Sequence, residues 1–448
     1  MELQTPTAAT PHCADQNGKL ALVTGAAGFT GGHLARALLR RGHRVRAMVR
    51  SGTQARGLEQ AGAEIVEGDL TRCQDVDTAV RGCSQVYHIA ALYRQAKHPD
   101  RVYYDVNLGG TQRILDAAAR HGVERVVHCS TVGVHGDIKP VPADEDAPFN
   151  PGDAYQESKL QGELAAREAF GSGLPGVIVR PAAIYGPGDL RFLKLFRSIR
   201  RGLFCMFGRG EATYHLVYID DLVDGVVRCG EHPDAIGETF ILAGPRYTTL
   251  NELVARVAAA VGVPPPRVRA PLMPLLAAAW GCEMSCKPLG LEPPLHRRRC
   301  GFFTKARGFS SAKARRVVGY APAVDLDEGL RATAAAYVAA GYLPAAPAAT
   351  NGDFGALATN GARSCWPRWP RSFSALRLPL PGHRNDIGGV ATSARSEHMP
   401  AQPVDMQEKQ KQGGGRHASG QALRGPIAAT DRPEQARARS LLQLRSWI

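Results

Sequence analysis

The sequence predicts an α/β fold: a doubly wound parallel sheet, a smaller C-terminal lobe and a disordered tail. Three observations predict it. Short apolar runs alternate with helical stretches over 19–180, the rhythm loosens over 181–343, and sustained periodicity ends after Leu343. Strands separated by helices form βαβ units, which give a parallel sheet covered on both faces. Right-handed crossovers then bring every strand's C-terminus to one edge, where ligands bind.

The strands read in order as Leu20–Thr24, Arg44–Val49, Glu64–Glu67, Gln85–Ile89, Arg125–Ser130 and Gly176–Arg180. Helical segments lie between them. In Gly32–Arg41, Leu34 and Leu38 share a face and Gly42 supplies the stop. Over 181–343 the spacing predicts helices at Asp220–Glu231, Thr249–Gly262 and Leu326–Ala340, with short strands at His215–Tyr218 and Thr239–Leu242. This second half reads mainly as a substrate lobe, the first mainly as a dinucleotide-binding half. Residues 1–18 hold no apolar core and read as a disordered N-terminus without a secretory signal. Residues 344–448, from Ala346-Pro347-Ala348-Ala349 onward, are Ser-, Arg-, Gly- and Pro-rich and are expected to be a disordered basic tail.

The net charge of +14 suggests nucleic acid, but its distribution argues against it. From Ala345 onward there are 14 Lys/Arg against 7 Asp/Glu, leaving an ordinary 41 against 34 in the rest of the chain. No zinc-finger spacing or base-stacking motif is present, so no nucleic-acid partner is expected. The ten cysteines form no CxxC pair, and Cys282-x3-Cys286 is too weak to be a metal site; free thiols in a reducing cytoplasm and no metal are expected. No apolar run reaches the roughly 18 residues of a membrane-spanning helix.

Thr24-Gly25-Ala26-Ala27-Gly28-Phe29-Thr30-Gly31 follows the first strand and opens the first helix. Gly25 permits a tight turn, Gly28 lets backbone approach a pyrophosphate, and Gly31 allows close helix–strand packing. The anion would sit on free N–H groups at the helix N-terminus. Arg50 ends the second strand, where a carboxylate would bind a ribose 2′-hydroxyl; a guanidinium suits the 2′-phosphate of NADP, so NADP is preferred over NAD. Tyr155 and Lys159 lie four residues apart at the start of a helix, hence on one face. A free phenol with a pKa of about 10 is a poor base at neutral pH. A neighbouring ammonium favours phenolate, which lets Tyr155 exchange a proton with a substrate hydroxyl.

In their order these motifs resemble the extended short-chain dehydrogenases/reductases, the NAD-dependent epimerase/dehydratase group with a Rossmann-like sheet. The matching pieces are TGAAGFTG at 24–31, Gly68-Asp69-Leu70, His88-Ile89-Ala90-Ala91, Asn107, Cys129-Ser130-Thr131, Tyr155 with Lys159, and RPAAIYGPGD at 180–189. The resemblance implies a small-molecule substrate and a cofactor lined by Gly25, Gly28, Phe29, Gly31, Arg50, Ala90, Ala91 and Arg180. It sets Asp69 and Leu70 beside the adenine, and has Lys159 bond the nicotinamide ribose as well. Counting five residues back from Gly136 gives Thr131 as the hydroxyl that orients the substrate oxygen, with Ser130 as its alternative. Asn107 is expected to brace the sheet edge, and a homodimer through helices at 100–121 and 155–170 is implied.

Two departures separate the chain from sugar-nucleotide members of that superfamily. Ala183 stands where they commonly carry an Asn, and Tyr214 where they favour an Arg, both of which contact a diphosphate; Arg191 and Lys194 are the possible substitutes. Pro271–Trp280 is apolar, and with Lys287-Pro288-Leu289, Pro293-Pro294-Leu295, Arg297–Arg299, Phe302-Phe303-Thr304, Ala312–Ala314 and Gly319-Tyr320 it resembles the late region of 3β-hydroxysteroid dehydrogenases and sterol-decarboxylating relatives. It reads as a greasy substrate wall, with Arg297–Arg299 placed for peripheral membrane contact in an otherwise cytoplasmic protein. Steroid enzymes of this type usually take NAD, whereas Arg50 resembles the dihydroflavonol reductases. The expectation is an NAD(P)-dependent dehydrogenase/reductase acting on a hydrophobic, 3β-hydroxysteroid-like or polycyclic alcohol or ketone. The alternatives are a nucleotide-sugar epimerase/dehydratase and a dinucleotide-sensing regulator; the Tyr155/Lys159 pair weighs against the last.

Overall fold

The structure, a computed structural model, describes residues 19–51, 55–93, 98–286, 293, 295 and 297–344. Residues 1–18, the tail beyond 344 and Lys287-Pro288-Leu289, on which several expectations fall, lie outside the described residues.

Six strands follow the sequence pattern closely: β1 Leu20–Thr24, β2 Arg44–Val49, β3 Glu64–Glu67, β4 Gln85–His88, β5 Arg125–Cys129 and β6 Gly176–Pro181. They stand in the order β3-β2-β1-β4-β5-β6, all parallel. Strand alternation sorts the apolar runs onto two faces. Ala21, Val23, Val45, Ala47, Val127, Val177 and Val179 meet Leu34 and Leu38 of the first helix and Leu222 and Val226 of the helix Ile219–Glu231. Leu22, Met48, Val86, Val126 and Ile178 meet Val76 and Val80, Ile114 and Ala118, and Ala166 of the helix Ala154–Gly171. A sheet buried on both faces needs near-continuous apolar strands, which is why these were legible.

Thr239–Leu242, which the sequence pattern groups with the C-terminal lobe, instead pairs with β6 as the seventh strand and edge of the main sheet. The segment after 181 therefore alternates: the helix Ile219–Glu231 and this strand complete the dinucleotide half, while the stretches before and after them build the lobe. The lobe has its own core of Phe196, Ile199, Tyr214, Leu250, Leu253, Val257, Leu330 and Tyr337. At its outer end the helices Leu272–Cys286 and Arg297–Thr304 pack together through Ala279, Leu295 and Cys300. Among the described residues no helix is long and apolar enough to cross a membrane.

Strand order reverses between β1 and β4, so their C-terminal ends open a crevice in which a ligand can lie across the sheet.

Candidate active site

The crevice is closed at its base by hydrogen bonds between the two strand ends. Thr24 Oγ1 meets His88 Nδ1 at 2.9 Å and accepts from the Ala90 N–H at 3.1 Å. Gly25, at φ +68°, approaches so closely that a Cβ there would sit 2.9 Å from Ala90 Cα. A Cβ on Gly31 would lie 2.3 Å from the Gly25 carbonyl oxygen, and one on Gly28 3.2 Å from the same atom. The first helix runs Phe29–Arg40, with Gly28 as N-cap and no side chain capping its first N–H groups. The helix thus starts inside the glycine loop, three residues earlier than its apolar spacing predicts. An uncapped helix N-terminus behind a loop of glycines and alanines fits a pyrophosphate. Gly31→Ala should therefore cost about 1–3 kcal/mol of stability through overpacking and weaken dinucleotide binding as well. Thermal melts and fluorescence titration with NAD and NADP would check this; unchanged affinity would remove the loop from the cofactor site.

On the adenine side, Arg50 is exposed at the end of β2. The Asp69 carboxyl is held below its ordinary value, first by the Thr71 N–H and then, against partial burial, by the Thr71 hydroxyl and the Arg50 charge. Both Thr71 donors reach Asp69 Oδ1 at 2.8 Å. Leu70 is turned inward: it is buried, and a Cβ on Gly110 would lie 3.1 Å from its Cβ. Its side chain is core, and it is Asp69 that stands at the rim. Ala90 is half-buried and Ala91 exposed beside the crevice.

The helix Ala154–Gly171 carries the proposed acid/base pair, started by Asp153, whose carboxylate accepts from the Gln156 N–H at 2.9 Å. Tyr155 is half-buried, its ring edge-on to Tyr93 at 5.1 Å between centroids. One turn on, Lys159 is buried and donates from Nζ to the Cys129 carbonyl at 2.6 Å. Burial pushes its pKa down. Burial, followed by the Lys159 charge, pushes the His88 imidazole down to about 3 and the His128 imidazole well below the ordinary range, so both stay neutral at physiological pH. Asn107 behaves as a brace: it exchanges bonds with the Leu92 backbone at 2.7 and 3.2 Å and donates to Ser158 Oγ at 2.9 Å.

The two candidate hydroxyls separate. Thr131 Oγ1 accepts from the Gly133 N–H at 3.0 Å, which leaves its own O–H to donate. Ser130 Oγ donates to Glu163 Oε2 at 2.6 Å and is committed to the interior. Arg180 corrects the sequence-based expectation. Its guanidinium is fully buried, pairs with Glu163 at 2.6 Å, meets His135 Nε2 at 3.0 Å and donates to the Glu145 carbonyl at 2.8 Å. With those partners it braces the helix from inside and lines no cofactor surface.

Three residues join the site that motif reading did not place there. Tyr93 carries no motif, yet stands against Tyr155. Arg191, weighed only as a substitute phosphate ligand, lies 5.8 Å over the Tyr93 ring and 5.5 Å over the Phe29 ring, and bonds Asp189 at 2.7 Å. Lys305 brings the C-terminal lobe to the start of the helix Ala154–Gly171: a Cβ on Gly152 would lie 2.9 Å from its Nζ.

Comparison with known proteins agrees with this geometry. Residues 21–243 match the model of the NAD dependent epimerase/dehydratase family. The chain is similar to a 3β-hydroxysteroid-dehydrogenase/decarboxylase of Arabidopsis thaliana, 30% identical over 60% of this chain, and spans 66% of that relative's length. It is 31% identical to a UDP-glucose 4-epimerase of Mycolicibacterium smegmatis, over 70% of this chain and 96% of the relative. Among solved structures, gox2253 superposes with a TM-score of 0.64 at 30% identity, covering 72% of this chain and 99% of that one. The chain belongs to the NAD dependent epimerase/dehydratase family, on the extended short-chain dehydrogenase/reductase fold, and is an NAD-dependent enzyme.

Proposed function

We propose that the protein interconverts a secondary alcohol and a ketone on a hydrophobic, 3β-hydroxysteroid-like or polycyclic substrate. The dinucleotide, when bound, supplies the hydride acceptor or donor. Gly25, Gly28, Gly31, Asp69 and Ala90 would hold it, with Lys159 reaching up from beneath. In the oxidative direction Tyr155, as phenolate, takes the hydroxyl proton from the substrate; in reduction it returns that proton to the carbonyl oxygen. The Lys159 cation lowers the cost of the phenolate. Thr131, with its O–H available, donates to the substrate oxygen beside Tyr155.

One observation carries the substrate class. Where sugar-nucleotide members favour an arginine, Tyr214 is buried, its hydroxyl donates to the Phe302 carbonyl, and its ring packs on Phe302 at 5.2 Å between centroids. An aromatic pair walls this part of the lobe in place of a charged diphosphate ligand, in keeping with the 3β-hydroxysteroid activity named for the Arabidopsis relative. The test is a cofactor-coupled assay. Hydroxysteroids and other bulky secondary alcohols should reduce NAD(P), and failure of every such alcohol and ketone would end this reading.

The second reading, epimerisation of a sugar nucleotide, is favoured by Arg307, whose guanidinium lies 5.2 Å over the Tyr214 ring and could meet a diphosphate, and by the Mycolicibacterium relative. It predicts conversion of UDP-sugars with no net change in cofactor absorbance.

We further propose NADP as the preferred cofactor, through the exposed Arg50. Arg50→Asp should raise the Kd for NADP by about ten-fold to a hundred-fold, since a charge-assisted bond of about 1.5–3 kcal/mol is exchanged for repulsion, while NAD affinity holds or improves. Equal effects on both dinucleotides would show that Arg50 does not meet the 2′-phosphate.

A further inference from the structure

We propose that the helix Leu272–Cys286 is an interfacial anchor that seats the C-terminal lobe on an anionic lipid surface. The helix is apolar all round, LMPLLAAAWGCEMSC, yet it is not a core helix. Only one side is used: Ala279 is buried with Leu295 and Cys300, and Leu275, Leu276 and Cys282 pack beside them. On the other side Met273 is 72% exposed, Trp280 55% and Met284 54%, with Ala277 exposed between them. Positions 273, 277, 280 and 284 fall at helical spacing on one stripe, where a water-facing helix would carry polar residues. Its single charge, Glu283, is tied to Arg297 at 2.8 Å.

The surroundings state what this stripe fits. Near the helix N-terminus, the strand Arg269–Ala270 pairs with Met206–Phe207, and Arg269 donates to the Arg209 carbonyl at 3.2 Å. The pairing places exposed Arg209 and Arg269 side by side, with exposed Arg267 and Val268 on the same strand approach. At the other end Arg299 is exposed, and beside it Arg297 is exposed with its charge met by Glu283. An apolar stripe with a tryptophan, collared by arginines at both ends, matches acyl chains flanked by anionic headgroups. At 15 residues the helix is shorter than the roughly 20 needed to span a bilayer, so it lies in the interface plane. The chain's own tail is a poorer occupant: with 14 Lys/Arg against 7 Asp/Glu it has the same sign as the collar. A second copy meeting face to face would likewise oppose arginine to arginine. The proposal uses no step of the catalytic reading and stands or falls apart from it.

The test is sedimentation of the full chain with vesicles of phosphatidylcholine alone and of phosphatidylcholine with phosphatidylserine. The native chain should bind the mixed vesicles and leave the neutral ones largely free. Trp280→Glu with Met284→Glu should lower the partition coefficient about ten-fold or more, with dinucleotide affinity unchanged as the check on folding. Binding that survives undiminished in the double variant would assign it to basic charge elsewhere in the chain and overturn the proposal. So would equal binding to neutral vesicles, or a dimer that the double variant abolishes without any vesicle binding.

Discussion

Replacing Tyr155 with Phe is expected to lower kcat by about 10²–10⁴-fold, the usual contribution of a positioned acid/base group, while dinucleotide affinity stays nearly constant. The ring would survive the substitution and keep its edge contact with Tyr93 at 5.1 Å between centroids, so only the proton-transferring oxygen is lost. Lys159→Met should also cripple turnover but for two reasons at once. It removes the cation that favours phenolate, and it leaves the Cys129 carbonyl, which now accepts from Nζ at 2.6 Å, without that donor. A pH–rate profile in the oxidative direction separates the effects: Lys159→Met should move the acid limb of kcat/KM, where Tyr155 ionises, to higher pH, whereas Tyr155→Phe should abolish that limb. A Tyr155→Phe enzyme that turns over at the native rate would refute the assignment. Intact dinucleotide binding alongside lost turnover would also dispose of the dinucleotide-sensor alternative.

Much of this arrangement was written in local sequence because local physics dictates it. A sheet buried on both faces needs apolar runs, and β1 to β6 appeared as such runs. A loop that must admit a pyrophosphate keeps its side chains small at the turns, and Gly25 and Gly31 are where a Cβ would collide with backbone. What the sequence concealed was direction and long-range pairing. The strand Thr239–Leu242 has the same local signal whether it serves the lobe or, as it does, the edge of the main sheet. Arg180 sits at a strand end facing the crevice in sequence order, but strand alternation puts it on the face of the helix Ala154–Gly171, opposite Glu163. That signal was available: Tyr155, Lys159, Glu163 and Arg167 recur every fourth residue, a single stripe that runs from the crevice into the interior. Tyr93 and Arg191 left no such trace, since each reaches the site through loop geometry.

The largest stability effect should come from that buried stripe. Glu163 and Arg180 are both fully buried, with Ser130 and Arg167 as further donors to the carboxylate. Removing one partner strands the other charge, so Glu163→Ala should cost about 3–5 kcal/mol, read as a fall in the urea midpoint at constant slope. Replacing both by apolar residues, Glu163→Leu with Arg180→Met, should cost much less than the two single effects combined. The pH dependence gives an independent sign. Burial pushes the Glu163 carboxyl up, but the bonds and charge of Arg180, with the Ser130 bond and the Arg167 charge, together outweigh it and leave the pKa below the ordinary value. Native stability from this group is therefore fully present above the unfolded carboxyl pKa of about 4.3 and is lost as pH falls through the lower folded value. Arg180→Met removes the largest of the lowering causes, so the folded pKa should rise, and with burial dominant stability should instead grow on acidification. Melts of both proteins between neutral pH and pH about 5 should thus converge, and a constant gap would deny the ion pair its role. Dinucleotide titration of folded Arg180→Met completes the argument: unchanged affinity fits a guanidinium that braces the helix from within, and a selective loss of binding would return Arg180 to the cofactor.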